Sequence, residues 1–71
     1  MTRKTSAIPK APVARILMNA GAKRVSAEAA ETFSEILYDI AIEIAERAVQ
    51  ISRHSGRKTV HESDIRLAFK Q

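Results

Sequence analysis

The stretch that decides the fold is Ser26–Ser55, SAEAAETFSEILYDIAIEIAERAVQISRHS, which is followed directly by Gly56. It contains neither glycine nor proline, so nothing interrupts a helix. Ser26 is a favoured N-cap residue, and Gly56 readily takes the left-handed conformation that ends many helices. The stretch therefore predicts one continuous helix, which at about 1.5 Å per residue would be roughly 43 Å long.

Apolar residues cover more than half of the circumference of this predicted helix. One stripe repeats at spacings of three and four: Phe33, Leu37, Ile40, Ile44, Ala48 and Ile51. A second set widens it: Tyr38, Ala41, Ile42, Ala45 and Val49. A helix that is apolar over so much of its surface needs cover from more than one side, and two short flanking segments cannot supply it. We therefore expect the chain to dimerise through this helix.

Shorter elements flank the long helix. Pro12 suits the first turn of a helix that ends at Gly21, and a last helix is expected from His61 or Glu62 to Lys70. The first strap, residues 23–25, and the second strap, residues 57–60, connect these helices to the long one. The pattern predicts an all-α fold: short helix, strap, long helix, strap, short helix. We expect residues 12–71 to form this domain and residues 1–11 to be a short, basic, flexible tail.

Composition excludes several functional classes. The chain has 71 residues, near the lower limit for a domain that folds alone, and it has no cysteine and only two histidines. Disulfides, a thiolate metal site and a convincing zinc site are therefore not expected, and we predict no cofactor. No apolar run reaches the roughly 18 residues of a membrane span, and no signal-peptide core is visible. We expect a soluble, intracellular protein.

Charge is unevenly distributed along the chain. Six of the eight acidic residues lie between Glu28 and Glu46, whereas all twelve basic residues lie outside that interval. A straight long helix would thus have an acidic middle and basic ends. Such basic patches fit a polyanion such as DNA, but ordinary solubilising surface charge explains the composition about equally well.

Four motifs together resemble one known family. They are APVARI at 11–16, NAGAKRVS at 19–26, SRHSGRKTV at 52–60 and DIRLA at 64–68. On these motifs the chain resembles the archaeal histones over about residues 9–70. The resemblance implies a histone fold, built as an intertwined head-to-tail dimer whose long helices cross and whose straps pair at the dimer ends. It also implies a cytoplasmic, chromosome-associated (nucleoid) protein that binds and wraps double-stranded DNA with little sequence preference. Homodimers and heterodimers with another histone both remain open.

The same resemblance assigns DNA contacts to residues of the straps and the first helix. Arg24 matches an arginine that enters the minor groove, where a narrow, negative groove attracts a guanidinium without base-specific reading. Thr59 matches a threonine whose hydroxyl orients that arginine. Arg15, Lys23 and Lys58 match phosphate contacts. Without the resemblance, a loop arginine such as Arg24 would more often be solubilising charge.

Further matches concern structure and assembly. Arg57 and Asp64 match a structural pair that joins the second strap to the last helix, and Arg57 would add to the positive field for DNA. His54 and Asp64 match the family's dimer–dimer contact, with Ile51 and Leu67 as its apolar part. The alternative role for His54 is as a partner of the helix dipole. A histidine–carboxylate contact would weaken as pH rises and the imidazolium loses its proton.

A further hypothesis concerns successive turns of a wrapped filament. Glu35 and Asp39 lie four apart on the polar stripe of the long helix, and Arg66 and Lys70 lie four apart on the last helix. These complementary pairs could join stacked layers, and Gly21 would allow close approach. The alternative is that these are exposed charges worth under about 1 kcal/mol per pair, with Gly21 only ending its helix.

Three alternatives differ in class from DNA wrapping. An enzyme is not expected, because no nucleophile–base set, phosphate-binding glycine loop or metal cluster is present. A histone-fold subunit of a transcription-related assembly would mainly bind protein, but the strap residues Arg24, Lys58 and Thr59 argue against it. A membrane-active basic amphipathic helix fails because the broad apolar helix has an acidic centre. Neither a membrane nor a small-molecule substrate is therefore an expected partner.

Overall fold

The structure, a computed structural model, describes residues 8–70. It contains three helices, α1 (Lys10–Asn19), α2 (Ala27–His54) and α3 (Glu62–Lys70), and no strand is present in this part of the chain. The all-α, short–long–short arrangement predicted from the sequence is confirmed. Of the tail expected at residues 1–11, residues 1–7 lie outside the described residues.

Helix α1 begins earlier than the sequence indicated. Its first residue is Lys10, with Pro9 as an extended N-cap at φ −62° and ψ 148°, so Pro12 is its third residue. The first N–H groups of a helix have no intrahelical carbonyl to bond, and a proline at this position therefore removes no helical hydrogen bond. Pro12 thus permits the helix to start two residues before it.

Both predicted caps of α2 are confirmed. Ser26 Oγ accepts a hydrogen bond from the Ala29 N–H at 3.0 Å, which satisfies one free donor of the first turn. At the other end Gly56 has φ +76°, its N–H donates to the Arg53 carbonyl at 2.9 Å, and the Arg57 N–H donates to the Ser52 carbonyl at 3.0 Å. This pair of bonds is a Schellman motif.

Helix α1 ends in the same pattern of two backbone hydrogen bonds. Gly21, predicted to end this helix, has φ +123°, and its N–H donates to the Met18 carbonyl at 3.0 Å. The Ala22 N–H donates to the Leu17 carbonyl at 3.1 Å. The positive φ of Gly21 turns the chain out of the helix, and the carbonyls of Met18 and Leu17 still accept backbone hydrogen bonds.

The chain divides into two compact units, with the boundary between Asp39 and Ile40 inside α2. In the N-terminal unit, Val13 of α1 and Ala30 and Ser34 of α2 are buried. The Ser34 hydroxyl donates to the Ile8 carbonyl at 2.7 Å. This bond attaches the residues before α1 to the long helix.

In the C-terminal unit α3 packs on the second half of α2. Ala48 and Ala68 are fully buried, and small side chains of this kind allow two helices to approach closely. Arg47 Nη1 donates to the Ala68 carbonyl at 2.8 Å, one of the last four carbonyls of α3, which have no intrahelical donor. Arg47 also lies 3.8 Å from Glu43 of its own helix, an exposed pair of little energetic weight.

The described residues bury few apolar side chains. The buried apolar set is Val13, Ala30, Ala48 and Ala68, of which only Val13 is larger than alanine. Large apolar side chains stay exposed on every helix and on the second strap: Ile16, Met18, Ile36, Ile40, Ile42, Val49, Val60, Ile65, Leu67 and Phe69. Much of the apolar surface of α2 thus lies open in the single chain. Among residues 8–70, no helix is long and apolar enough to span a membrane.

Candidate nucleic-acid interface

The second strap is held to α2 by a buried hydroxyl. Ser52, only 2% exposed, shares its one hydroxyl proton between two carbonyls, that of Arg57 at 3.1 Å and that of Thr59 at 2.9 Å from Oγ. The two carbonyls flank Lys58. The backbone on both sides of this lysine is therefore bonded to the helix, whereas the side chains of Lys58 and Thr59 are exposed.

Arg57 turns back into the fold. Its Nη1 donates to the Thr59 carbonyl at 2.9 Å and to Asp64 Oδ2 at 3.0 Å, and its Nη2 donates to Asp64 Oδ1 at 2.9 Å. The same Nη1 lies 3.2 Å from His61 Nδ1. The structure thus brings Arg57 and Asp64 together, and the guanidinium closes the second strap onto the start of α3.

Asp64 combines this ion pair with a capping role. It is the third residue of α3, and its Oδ2 accepts the N–H of His61 at 2.8 Å, which is half of a capping box. The hydrogen bond from Arg57, followed by that from the His61 backbone, lowers the pKa of Asp64 from 3.8 to about 2. The same hydrogen bond raises the pKa of Arg57. The carboxylate therefore stays charged well into the acidic range.

The charged side chains that face solvent at and beside the second strap are basic. Asp64 largely balances the charge of Arg57, but Lys58 and Arg53 are exposed and form no ion pair within residues 8–70. A cleft of about 250 Å³ beside the strap is lined by Val49, Ser52, Arg53, Arg57, Lys58 and Val60. The lining combines two valines with the unpaired positive charges of Arg53 and Lys58, which suits an anionic partner.

The other predicted DNA contacts lie in the N-terminal unit. Lys23 and Arg24 of the first strap are exposed, and so is Arg15 on α1. None of the three takes part in an ion pair in the described part of the chain. Their charge is available to a phosphate backbone.

The predicted dimer–dimer residues differ in accessibility. Leu67 is 51% exposed, Ile51 is half-buried and His54 is exposed, but Asp64 is buried. His54 Nδ1 donates to the carbonyl of Gln50 at 2.8 Å, one turn back on α2. Both oxygens of Asp64 are engaged within the chain, so the structure brings Asp64 to Arg57 and gives His54 a partner on its own helix.

The residues predicted to join stacked layers all lie within the part of the chain that the structure describes. Glu35 and Asp39 are half-buried, and Lys70 is exposed. Arg66 already bonds Glu62, with Nε at 2.9 Å and Nη2 at 2.6 Å from the same carboxylate oxygen. A stacking contact through Arg66 would have to compete with that pair.

Reasoning from the sequence missed three structural side chains: Ser34, Arg47 and Ser52. The two serines join α2 to backbone outside it, and Arg47 caps α3. For Ser52 the sequence did contain a signal of burial, because this serine follows Ala48 by four residues and so lies on the apolar stripe of the long helix. Within residues 8–70, no group of three or more metal-ligating side chains is clustered.

Comparison with known proteins agrees with this architecture. Residues 6–69 match the family described as histone-like transcription factor (CBF/NF-Y) and archaeal histone. The chain is 48% identical over 63 residues to the archaeal histone HAN1 of Thermococcus zilligii, covering 89% of this chain and 94% of that protein. It is 46% identical over 63 residues to "Probable archaeal histone 3" of Methanocaldococcus jannaschii, with the same coverage. The chain therefore belongs to the archaeal histones, a family of DNA-binding chromatin proteins with the histone fold and not a family of enzymes.

Proposed function

We propose that the chain acts as an intertwined head-to-tail dimer that binds and wraps double-stranded DNA. The observation that carries the dimer is the exposure of large apolar side chains along α2 and α3, against a buried apolar set of one valine and three alanines. A partner chain packed against one face of α2 would cover Ile36 and Ile40, which lie one turn apart, whereas Ile42 lies on the other side of α2 and needs cover from a second element of the partner. Full burial of an exposed side chain of this size contributes about 1.5–3 kcal/mol, and completing the burial of side chains that are 39–50% exposed contributes roughly half of that each.

The DNA surface of this dimer combines residues of both straps. We assign minor-groove insertion to Arg24, with Thr59 of the partner chain orienting it, and phosphate contact to Arg15, Lys23 and Lys58. The assignment is supported by the exposure of the four cations and by the absence of an ion pair to any of them between residues 8 and 70. Arg57 contributes mainly by shaping the second strap, because Asp64 balances its charge.

Wrapping needs contacts between dimers as well. We infer that Ile51, His54 and Leu67 contact a second dimer, with Asp64 supporting that surface through Arg57. Minor-groove insertion and phosphate contact carry no base-specific reading, so dimers would add along DNA of any sequence. The product would be a nucleosome-like particle or a superhelical filament on the chromosome. No cofactor or small molecule has a role in this proposal.

Two measurements on the purified chain test the proposal. Sedimentation at micromolar concentration should give a dimer, and a folded monomer would refute it. Nuclease digestion of saturated random-sequence DNA should leave protected fragments that grow in regular steps, one per added dimer. Binding should fall steeply with salt, because each neutralised phosphate releases counterion.

The second candidate is a histone-fold subunit of a transcription-related assembly. The matched family includes histone-like transcription factors, which is the observation in its favour. A folded dimer that leaves DNA unprotected at low salt would support this candidate and refute DNA wrapping.

A further inference from the structure

Ser52 makes an unusual set of contacts for a helical serine. A serine in a helix commonly bonds a carbonyl of its own preceding turn. Here the hydroxyl instead reaches forward to the carbonyls of Arg57 and Thr59, at 3.1 and 2.9 Å. The carbonyl of Ser52 accepts the Arg57 N–H at 3.0 Å, so one buried residue holds the strap through both its side chain and its backbone.

These contacts act on the residues on either side of Lys58. The Thr59 carbonyl has a second donor in Arg57 Nη1, but within residues 8–70 the Arg57 carbonyl has only the Ser52 hydroxyl. Loss of the hydroxyl would therefore leave the carbonyl of the peptide that immediately precedes Lys58 without its bond to α2, although the Arg57 N–H would still bond the Ser52 carbonyl. The exposed side chains of Lys58 and Thr59 would then have to be ordered when DNA binds.

We propose that Ser52 is a positioning residue for DNA binding: its hydroxyl holds the second strap in the conformation that presents Lys58 and Thr59 to the phosphate backbone. The inference rests on the proposed DNA-binding role of the strap. Its physical basis is preorganisation, because a loop that is already ordered loses less conformational freedom on binding. Ser52 itself touches no DNA, since it is buried.

Ser34 provides a matched control on the same helix. It is 1% exposed, and its hydroxyl also donates to a backbone carbonyl outside α2, that of Ile8 at 2.7 Å. It belongs to the N-terminal unit, whereas Ser52 and the second strap belong to the C-terminal unit. Replacing either serine with alanine removes one hydroxyl and no charge.

The experiment compares full-length Ser52→Ala, Ser34→Ala, Lys58→Ala and Ser52→Ala/Lys58→Ala. Fluorescence anisotropy measures the affinity for a random-sequence duplex over a range of salt concentrations, and thermal unfolding is followed at the same protein concentration. Removal of a hydrogen bond of ordinary net strength should lower the affinity of Ser52→Ala about fivefold. Its salt slope should fall by up to about 1, the contribution of one phosphate contact, whereas Ser34→Ala should keep the wild-type slope even if its stability falls.

The double variant separates positioning from general destabilisation. If Ser52 acts through Lys58, Ser52→Ala/Lys58→Ala should bind little more weakly than Lys58→Ala alone, giving a clear coupling in the cycle. Strictly additive losses, or a Ser52→Ala protein with the wild-type affinity and slope, would overturn the inference. If Ser52→Ala does not fold, Ser52→Cys, similar in size and a weaker donor, takes its place with the same criteria.

Failure of the proposed function would look different. A wild-type protein that binds no duplex, or a Lys58→Ala protein with unchanged affinity and slope, would refute the assignment of the second strap. A weakened Lys58→Ala beside an unaffected Ser52→Ala would refute only the positioning role of Ser52.

Discussion

The Arg57 guanidinium and the Asp64 carboxylate form a bidentate ion pair, with an Nη1–Oδ2 distance of 3.0 Å and an Nη2–Oδ1 distance of 2.9 Å. The carboxylate is nearly inaccessible, whereas the guanidinium is about one-third exposed. The planar fork of an arginine matches a carboxylate in this way and lysine cannot reproduce it. The pair connects the second strap to α3, so the shape of the strap depends on a buried acidic residue of the next helix.

Asp64→Asn should make the protein less stable in a pH-dependent way. Because the folded-state pKa of Asp64 is lowered from 3.8 to about 2, its charged form stabilises the fold above pH 3.8, and this contribution is lost as pH falls from 3.8 towards 2. The difference in thermal midpoint between wild type and Asp64→Asn should therefore be largest above pH 3.8 and narrow below it. Glu62→Gln, which breaks the exposed Glu62–Arg66 pair, is the control and should change the midpoint little. A gap that persists unchanged at pH 2 would contradict the prediction.

Arg24→Ala should weaken DNA binding several-fold while leaving thermal unfolding nearly unchanged. The side chain is exposed and joins no ion pair within residues 8–70, so its loss removes no described contact. Arg66→Ala is the charge-matched control, since it also removes one exposed positive charge. On a duplex too short to form successive turns, Arg66→Ala should bind like wild type. Equal losses for both variants would mean that only net charge matters.

Ile40→Glu should prevent dimerisation. Ile40 is 47% exposed in the single chain, where a glutamate would be tolerated, but a partner lying along α2 would bury the new charge. Met18→Glu, at a residue of α1 that is 48% exposed, is the control for an added charge on an exposed apolar position. Sedimentation without DNA should show a dimer for Met18→Glu and monomer or unfolded chain for Ile40→Glu. A stable Ile40→Glu dimer would exclude this face of α2 from the interface.

Gly56→Ala should lower the free energy of unfolding by about 1 kcal/mol, because L-residues with a side chain rarely adopt the left-handed conformation. The cost comes from the backbone conformation and not from a steric clash, because φ of Gly56 is +76° and a Cβ placed there meets nothing within 4 Å. Ser55→Ala, one residue earlier and at negative φ, should have a much smaller effect. Denaturant titration at a fixed protein concentration measures both. Equal stability of Gly56→Ala and wild type would contradict the assigned cap.

Glu35→Lys/Asp39→Lys should loosen compaction of long DNA if these acids contact Arg66 and Lys70 of a neighbouring layer. Adding Arg66→Glu/Lys70→Glu swaps the charges and returns the net charge to +4, so compaction should recover. Sedimentation of long-DNA complexes reports compaction. A swapped variant that stays as loose as the double variant would rule out the contact, and the existing Glu62–Arg66 bond would then account for Arg66.

The local features of the fold were predictable from the residues themselves. Ser26, Gly21 and Gly56 mark helix ends through conformational preferences that act within a few residues, and the structure confirms all three. The start of α1 was placed two residues late, because a proline in the first turn does not specify which of the unbonded positions it occupies. The DNA-contact residues came from motif resemblance, and their roles remain predictions.

The sequence alone determined the order of the helices, the helix ends marked by Gly21, Ser26 and Gly56, and the width of the apolar surface on α2, because periodicity and capping are local properties. Only the tertiary structure decided where the second strap lies. Ser52 bonds carbonyls five and seven residues ahead, and Arg57 bonds a carboxylate seven residues ahead in the next helix. Bonds of this range depend on the path of the backbone through a turn and on the packing of α3, and neither can be read from side-chain preferences at single positions.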